Sequence, residues 1–282
     1  MSVLSADQQA CAELLQRDDP DRYYACLFAP EDKRGSLFAL YAFSLELARI
    51  REIVSEPMLG EIRMQWWRDA LTGSGHGDVS ANPVAAALLE TVQKYNLPVQ
   101  ALRDLIEGRC FDLYDDPMLT RVDLEGYCGE TCSSLMRLAS LVLADGRDPR
   151  GAETCGHAGV AFALTGLLRA LPWHAARGQL YLPADLLAQH LVTREQIMSG
   201  QVTPGVVSVL EEMRALARHH YERAMACVGE MDESARAALM PLAVLPLYLK
   251  RMEAGGYAPF RTLVTAPLWR RLLAMWSFSR KL

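Results

Sequence analysis

Two stretches of this chain carry residue types and spacings that suit ligand chemistry as well as core packing. The first, FALYAFSLELARIREIVSEPMLGEIRMQWWRDAL at 38–71, places Tyr41, Leu45, Ala48 and Glu52 at steps of 4, 3 and 4. On a helix those steps form one stripe. The second, AFALTGLLRALPWHAARGQLYLP at 161–183, runs from an apolar helix into Arg169, Pro172-Trp173-His174, Arg177-Gly178 and Tyr181-Leu182-Pro183. Cationic and imidazole groups beside aromatic rings can hold an anion or another polar ligand; the same residues also make a solvated helix end.

Metal chemistry has weaker pointers. Cys128 and Cys132 stand one helical turn apart, and Cys155-Gly-His157 follows. Without paired CxxC or HxxxH spacing they read as small core hydrophobes. Asp115-Asp116-Pro117 is the composition of a turn. Of the adjacent Trp66 and Trp67, one is expected in the core and the other half-exposed, since neighbours on a helix point in different directions. His219-His220 falls in the charged stretch 214–223 and reads as a solvated helix face. The basic, amphipathic Trp269-Arg270-Arg271…Arg280-Lys281 suits contact with anionic lipid, contact with a partner, or packing on the bundle.

The elements that position these groups are helices. Ser5-x-x-Gln8 and Thr193-x-x-Gln196 are capping boxes, and Asp19-Pro20 and Asn82-Pro83 pair an N-cap with proline at the first helical position. Stretches 31–55, 57–71, 123–144, 153–170 and 205–230 repeat apolar residues at three- and four-residue steps; Phe43, Leu47, Ile50 and Val54 form one such face. Pro57 requires a helix end or kink near Ser55. No run alternates at period two, so the expected class is all-α. Thr72–Ser80 reads as a flexible surface loop and Gly178–Thr203 as an irregular break. Neither resembles a domain linker, and one domain over 1–282 is expected.

Composition narrows the function classes. The 282 residues are 51% hydrophobic and 22% charged, with 29 Lys+Arg against 34 Asp+Glu and a net charge of −5. This excludes intrinsic disorder, collagen-like repeats and a small disulfide scaffold, and mild acidity argues against nucleic acid as a partner. The apolar, uncharged stretches Thr154–Leu168 and Ala237–Leu249 fall short of a membrane span. Seven cysteines and a polar start without a signal pattern suggest reduced thiols and a cytoplasmic setting, the inner face of a membrane included.

Together the two segments resemble the squalene/phytoene synthase family, the head-to-head prenyl transferases, in order along the whole chain. Tyr41-Ala42-Phe43 stand where its first motif begins. Leu164-Thr165-Gly166-Leu167-Leu168-Arg169, Arg177-Gly178 and Tyr181-Leu182-Pro183 follow its second. Asp112 and Glu125-Gly126-Tyr127-Cys128 match its mid-chain acidic residue and Tyr-Cys pair. The resemblance implies an isoprenoid-synthase helical bundle around a central cavity. In the active family, paired aspartates on facing helices hold magnesium against the substrate diphosphates, because departing diphosphate needs a counter-charge. Here the first pair falls on Ala48 and Glu52, with Arg49 where a further aspartate is usual. The second falls on Ala170 and His174, and the accompanying Asn and Gln fall on Gly166 and Ala163.

These replacements, with Glu46-Leu47-Ala48, Val54-Ser55-Glu56, Gly60, Arg63–Trp67 and Leu168-Arg169-Ala170-x-Pro172-x-His174, are similar to the branch found in mitochondrial complex I assembly factors. That resemblance implies a non-catalytic assembly or binding factor for a respiratory NADH dehydrogenase. The alternatives are a prenyl transferase using farnesyl or geranylgeranyl diphosphate, and a carrier of an isoprenoid or phospholipid. No cofactor is expected, magnesium entering only with the enzyme alternative. The expected partners are a complex I subunit or a lipid, without nucleic acid and with at most peripheral membrane contact. The expected anion or ligand site is Tyr41, Arg49, Glu52, Arg169, His174, Arg177 and Tyr181. Arg49, Arg169 and Arg177 should lie near the cavity mouth, and Glu52 should face inward with Arg169 or His174 as counter-charge.

Overall fold

The structure is a computed structural model that describes residues 4–74 and 78–282. In chain order its helices are α1 (Ala6–Asp18), α2 (Pro20–Cys26), α3 (Glu31–Ile53), α4 (Pro57–Thr72), α5 (Pro83–Tyr95), α6 (Val99–Cys110) and α7 (Arg121–Cys128). They continue as α8 (Ser134–Leu143), α9 (Ala152–Ala176), α10 (Ala184–Gln189), α11 (Arg194–Met198), α12 (Pro204–Ala226), α13 (Leu245–Met252) and α14 (Leu268–Ser279). No strand occurs among the described residues, so the all-α expectation holds.

Local chemistry sets the boundaries. Both expected capping boxes form, Ser5 with Gln8 and Thr193 with Gln196, and Thr120 with Asp123 adds a third at the start of α7. Asn82 Oδ1 accepts from the amides of Val84 and Ala85, so Pro83 at the first helical position leaves no donor orphaned. α3 stops at Ile53, and α4 restarts at Pro57, where proline is tolerated because the first-turn amides lack helical acceptors. α4 closes on Gly73, whose φ of +72° is the left-handed geometry glycine adopts freely. Of the polar loop Thr72–Ser80, Gly75, His76 and Gly77 lie outside the described residues. The break Gly178–Thr203 contains the short α10 and α11.

α9 is the axis of the bundle. It packs along α12 and against α8, while α3 packs against α1, α5 and α8. Phe43, Leu47, Ile50 and Val54 all enter the core, as their spacing requires. Among the described residues α9 alone is long and apolar enough to cross a membrane, and 61% of that apolar window is buried inside the fold. It also outlasts the sequence expectation, continuing through Pro172 to Ala176. Proline removes one amide donor, while the end of the helix is held by bonds from Arg177, Gly178 and Gln179 to the carbonyls of His174 and Ala175.

Between α7 and α8 the chain makes a π-helical turn, Gly129–Ser133. Thr131 Oγ1 donates to the Tyr127 carbonyl (2.7 Å), and Ser133 Oγ donates to the Gly156 carbonyl of α9 (2.6 Å). Gly159 lets α9 approach this turn: a Cβ there would fall 2.3 Å from the Ser133 backbone N and Cα. The turn thereby fixes the end of α7, and Tyr127 with it. Cys128, Cys132 and Cys155 are buried free thiols in the core. Trp67 is buried and Trp66 half-buried. His220 departs from expectation: it is buried, its Nδ1 2.9 Å from that of His157 and its Nε2 3.6 Å from Glu125. The rotation of about 100° per residue turns it inward from its neighbour His219.

Candidate functional site: an arginine- and tyrosine-lined cavity

A cavity of about 360 Å³ opens between the C-terminal halves of α3 and α9, the end of α6, and α7. α3 contributes Ala48, Arg51 and Glu52, and α9 contributes Ala170, Trp173 and His174. The loop after α9 adds Arg177, Gln179 and Tyr181.

Asp112 anchors one side, on a 3-10 turn (Phe111–Leu113) directly after α6. It is buried, and Tyr127 Oη and Tyr181 Oη each donate to its Oδ1 at 2.7 Å. Arg109 Nη1 donates to Oδ2 at 3.0 Å and to Tyr127 Oη at 2.8 Å. Gln179 Nε2 donates to the Asp112 carbonyl at 3.3 Å. Burial, then neighbouring Asp112, holds the Tyr181 hydroxyl well above the usual phenol range; burial does the same for Tyr127, with Asp112 adding to it. Burial opposes the charge on Arg109, but Tyr127 and Asp112 outweigh it and keep the guanidinium protonated.

His174 packs its ring 4.7 Å from that of Tyr181. Burial pushes its pKa down to about 4; Arg177 and Arg109 add to the effect while Asp112 opposes it. At neutral pH the imidazole is therefore an uncharged donor and acceptor. Outward of it, Arg177 Nη1 lies 3.4 Å from Glu52 Oε1, and its guanidinium covers the exposed Trp173 ring at 5.3 Å. Arg51 lies 3.8 Å from Asp115. The Nε atoms of Arg51 and Arg109 are both buried and without a hydrogen-bond partner.

Of the residues expected here, the structure brings together Glu52, His174, Arg177 and Tyr181. Tyr41 is not among the cavity-lining residues; it is buried in the middle of α3, its ring 5.3 Å from the Arg22 guanidinium. Arg49, one residue beyond Ala48, faces away: it pairs with Asp18 and lines a second cavity of about 520 Å³ with Glu46, Arg63, Trp66 and Trp67. Arg169, one residue before Ala170, donates through Nε to the Val264 carbonyl (3.1 Å) and lies over Tyr248 at 3.8 Å. Both corrections share a cause: one position along a helix is about a 100° turn. Glu52 takes Arg177 as its counter-charge, not Arg169 or His174, and the pair is about half exposed rather than buried. Sequence reasoning passed over Arg51 and Arg109 and used Asp112 and Tyr127 only as landmarks. The spacing of Arg109 and Asp112, three apart, was the available signal.

The donor set does not suit magnesium. Hard cations require several oxygen ligands with free lone pairs. Asp112 has spent both oxygens on tyrosine hydroxyls and a guanidinium, Glu52 is paired with Arg177, and Ala48 and Ala170 offer methyl groups. Arg51, Arg109 and Arg177 line the cavity against two carboxylates, Asp112 and Glu52, so the lining is cationic by one charge and suits an anion better than a second cation.

Residues 15–273 match the family described as squalene/phytoene synthase. The chain belongs to the squalene/phytoene synthase family. Its similar relatives include proteins named NADH dehydrogenase (ubiquinone) complex I, assembly factor 6. The one from Bos taurus is 30% identical over 91% of this chain and 77% of its own length, and the one from Rattus norvegicus 32% identical over 89% and 75%. A 15-cis-phytoene synthase from Synechococcus elongatus is 26% identical over 98% of this chain and 93% of its own. Among solved structures, a dehydrosqualene synthase superposes with a TM-score of 0.83 at 20% identity, covering 97% of this chain and 95% of that one. A squalene synthase from Alicyclobacillus acidocaldarius gives 0.74 at 21%, covering 90% and 95%. The isoprenoid-synthase fold expected from the motifs is thus the fold of this squalene/phytoene synthase family member.

Proposed function

We propose that this squalene/phytoene synthase family member is non-catalytic and serves as an assembly or binding factor for a respiratory NADH dehydrogenase, complex I. The observation that carries this reading is the cavity itself. Ala48 and Ala170 line it at the positions where the motif resemblance puts two of the active family's aspartates, and guanidinium groups pair with the remaining acids. Relatives at 30–32% identity whose names state complex I assembly support the choice of client. The proposed setting is the cytoplasmic face of the membrane that holds the client.

The buried, unpartnered Nε atoms of Arg51 and Arg109 favour a second reading, a carrier that holds the anionic head of an isoprenoid or phospholipid without chemistry. Deleting the gene and measuring NADH:quinone oxidoreductase activity beside isoprenoid content tests the first reading: the activity should fall and the isoprenoids stay unchanged. Lipid co-purified with the protein and identified by mass spectrometry would favour the carrier. Incubating purified protein with labelled farnesyl or geranylgeranyl diphosphate and magnesium should give no condensation. Squalene, presqualene diphosphate or phytoene above background would overturn the non-catalytic reading.

A further inference from the structure

The last helix of the fold has two unlike sides. On one, α14 packs through the buried side chains of Met275 and Phe278, and Arg271 Nη1 donates to Asp21 Oδ1 at 2.7 Å. That bond ties the helix to α2, and Tyr248 Oη of α13 donates to the same carboxylate at 2.6 Å. On the other side, Trp269, Leu273 and Trp276 follow at steps of 4 and 3 and are more than half exposed, with Arg280 four residues on. Leu268 at the start of the helix and Leu263 before it are exposed too.

Charge on this segment has one sign. From Ala254 to Leu282 there is no Asp or Glu but five Lys and Arg, although the whole chain carries −5. Arg271 is turned inward and paired with Asp21, whereas Arg261, Arg270, Arg280 and Lys281 are exposed. Two of these guanidiniums flank the exposed indoles: Arg270 lies 5.1 Å from the centre of the Trp269 ring and Arg280 5.1 Å from that of Trp276.

We propose that the outward face of α14 docks this protein on an anionic lipid bilayer, with Trp269, Leu273 and Trp276 entering the headgroup region and Arg270, Arg280 and Lys281 meeting lipid phosphates. Indole rings with one apolar and one wet edge suit that boundary, and cations flanking an apolar stripe match its negative potential. The rest of the chain is acidic and is repelled by the same potential, so this face sets the orientation. A convex helix carrying a stripe of large side chains needs no complementary groove in a bilayer, as it would on a protein.

Sedimentation of the full chain with phosphatidylcholine vesicles, with and without about 30% phosphatidylglycerol, tests this. Binding is expected to the anionic vesicles alone, weakening with salt and shifting indole emission to the blue. Arg270→Glu with Arg280→Glu should weaken it by at least about tenfold, since each cation near such a surface contributes about fivefold. Trp269→Ser with Trp276→Ser should abolish it. All four side chains are exposed, so thermal melting of both variants should match the unaltered protein and separates lost docking from lost folding. Failure of the unaltered chain to sediment, equal binding to neutral vesicles, or unchanged binding by either variant would overturn the proposal. A face that serves a protein partner instead would give the first of these results.

Discussion

Asp112 and Glu52 are both acids of the cavity with arginine partners, yet they stand in different electrostatic settings. Asp112 is buried and holds two phenols and a guanidinium, so Asp112→Asn leaves Arg109 charged and underpaired in a dry place. Chemical denaturation should show a loss of about 3–5 kcal/mol. Glu52 and Arg177 face solvent, and Glu52→Gln should move stability by less than about 1 kcal/mol in the same measurement. His174 adds a pH dependence. Its folded pKa of about 4 lies below the ordinary 6.5, so the unfolded chain binds a proton that the folded chain refuses. The resulting stability is complete above about pH 6.5 and is lost as pH falls toward 4. Melting curves across that window should slope less in His174→Gln. Installing carboxylates at Ala48 and Ala170 should not by itself create a magnesium site, because Arg51 and Arg177 line the same cavity. Magnesium titration of the doubly substituted protein should stay weak until both arginines are also replaced by alanine.

At the scale of elements, the contact between α9 and the π-helical turn is the tightest constraint on the site. Gly159→Ala would push a methyl into the Ser133 backbone and should cost about 1–3 kcal/mol. Gly166, on the same helix, has no packing neighbour within 4 Å of where a methyl would stand, so Gly166→Ala should be neutral or stabilising by up to about 1 kcal/mol. Comparing the two denaturation midpoints isolates close approach from helix propensity. The helices themselves were legible because capping boxes, N-terminal prolines and apolar spacing are local signals. Ser5, Asn82 and Thr193 cap where their spacing says they should. The site was legible only in part, because its phase is set by long-range packing. Arg49 and Arg169 sit one residue from cavity positions and face elsewhere, while Arg51 occupies the cavity without a motif to announce it. The π-helical turn left no sequence signal at all, since its wider ring depends on how α9 closes on it.

For the molecule as a whole, the cavity lining carries three guanidiniums and a neutral imidazole against two carboxylates, and the proposed non-catalytic function predicts an anion held there without a metal. Calorimetric titration with inorganic diphosphate should give binding in the presence of a chelator. Arg51→Ala or Arg177→Ala should weaken it by about tenfold or more, the usual scale for one charge-assisted bond. Binding that requires magnesium would contradict this. α3 divides this cavity from the larger one on its far side, presenting Ala48 and Glu52 to one and Glu46, Arg49 and Ile50 to the other. One rigid rod thus serves as a party wall between two chambers. An occupant that turns the rod to suit its own chamber reshapes its neighbour's, and thermodynamic linkage makes the influence equal in both directions.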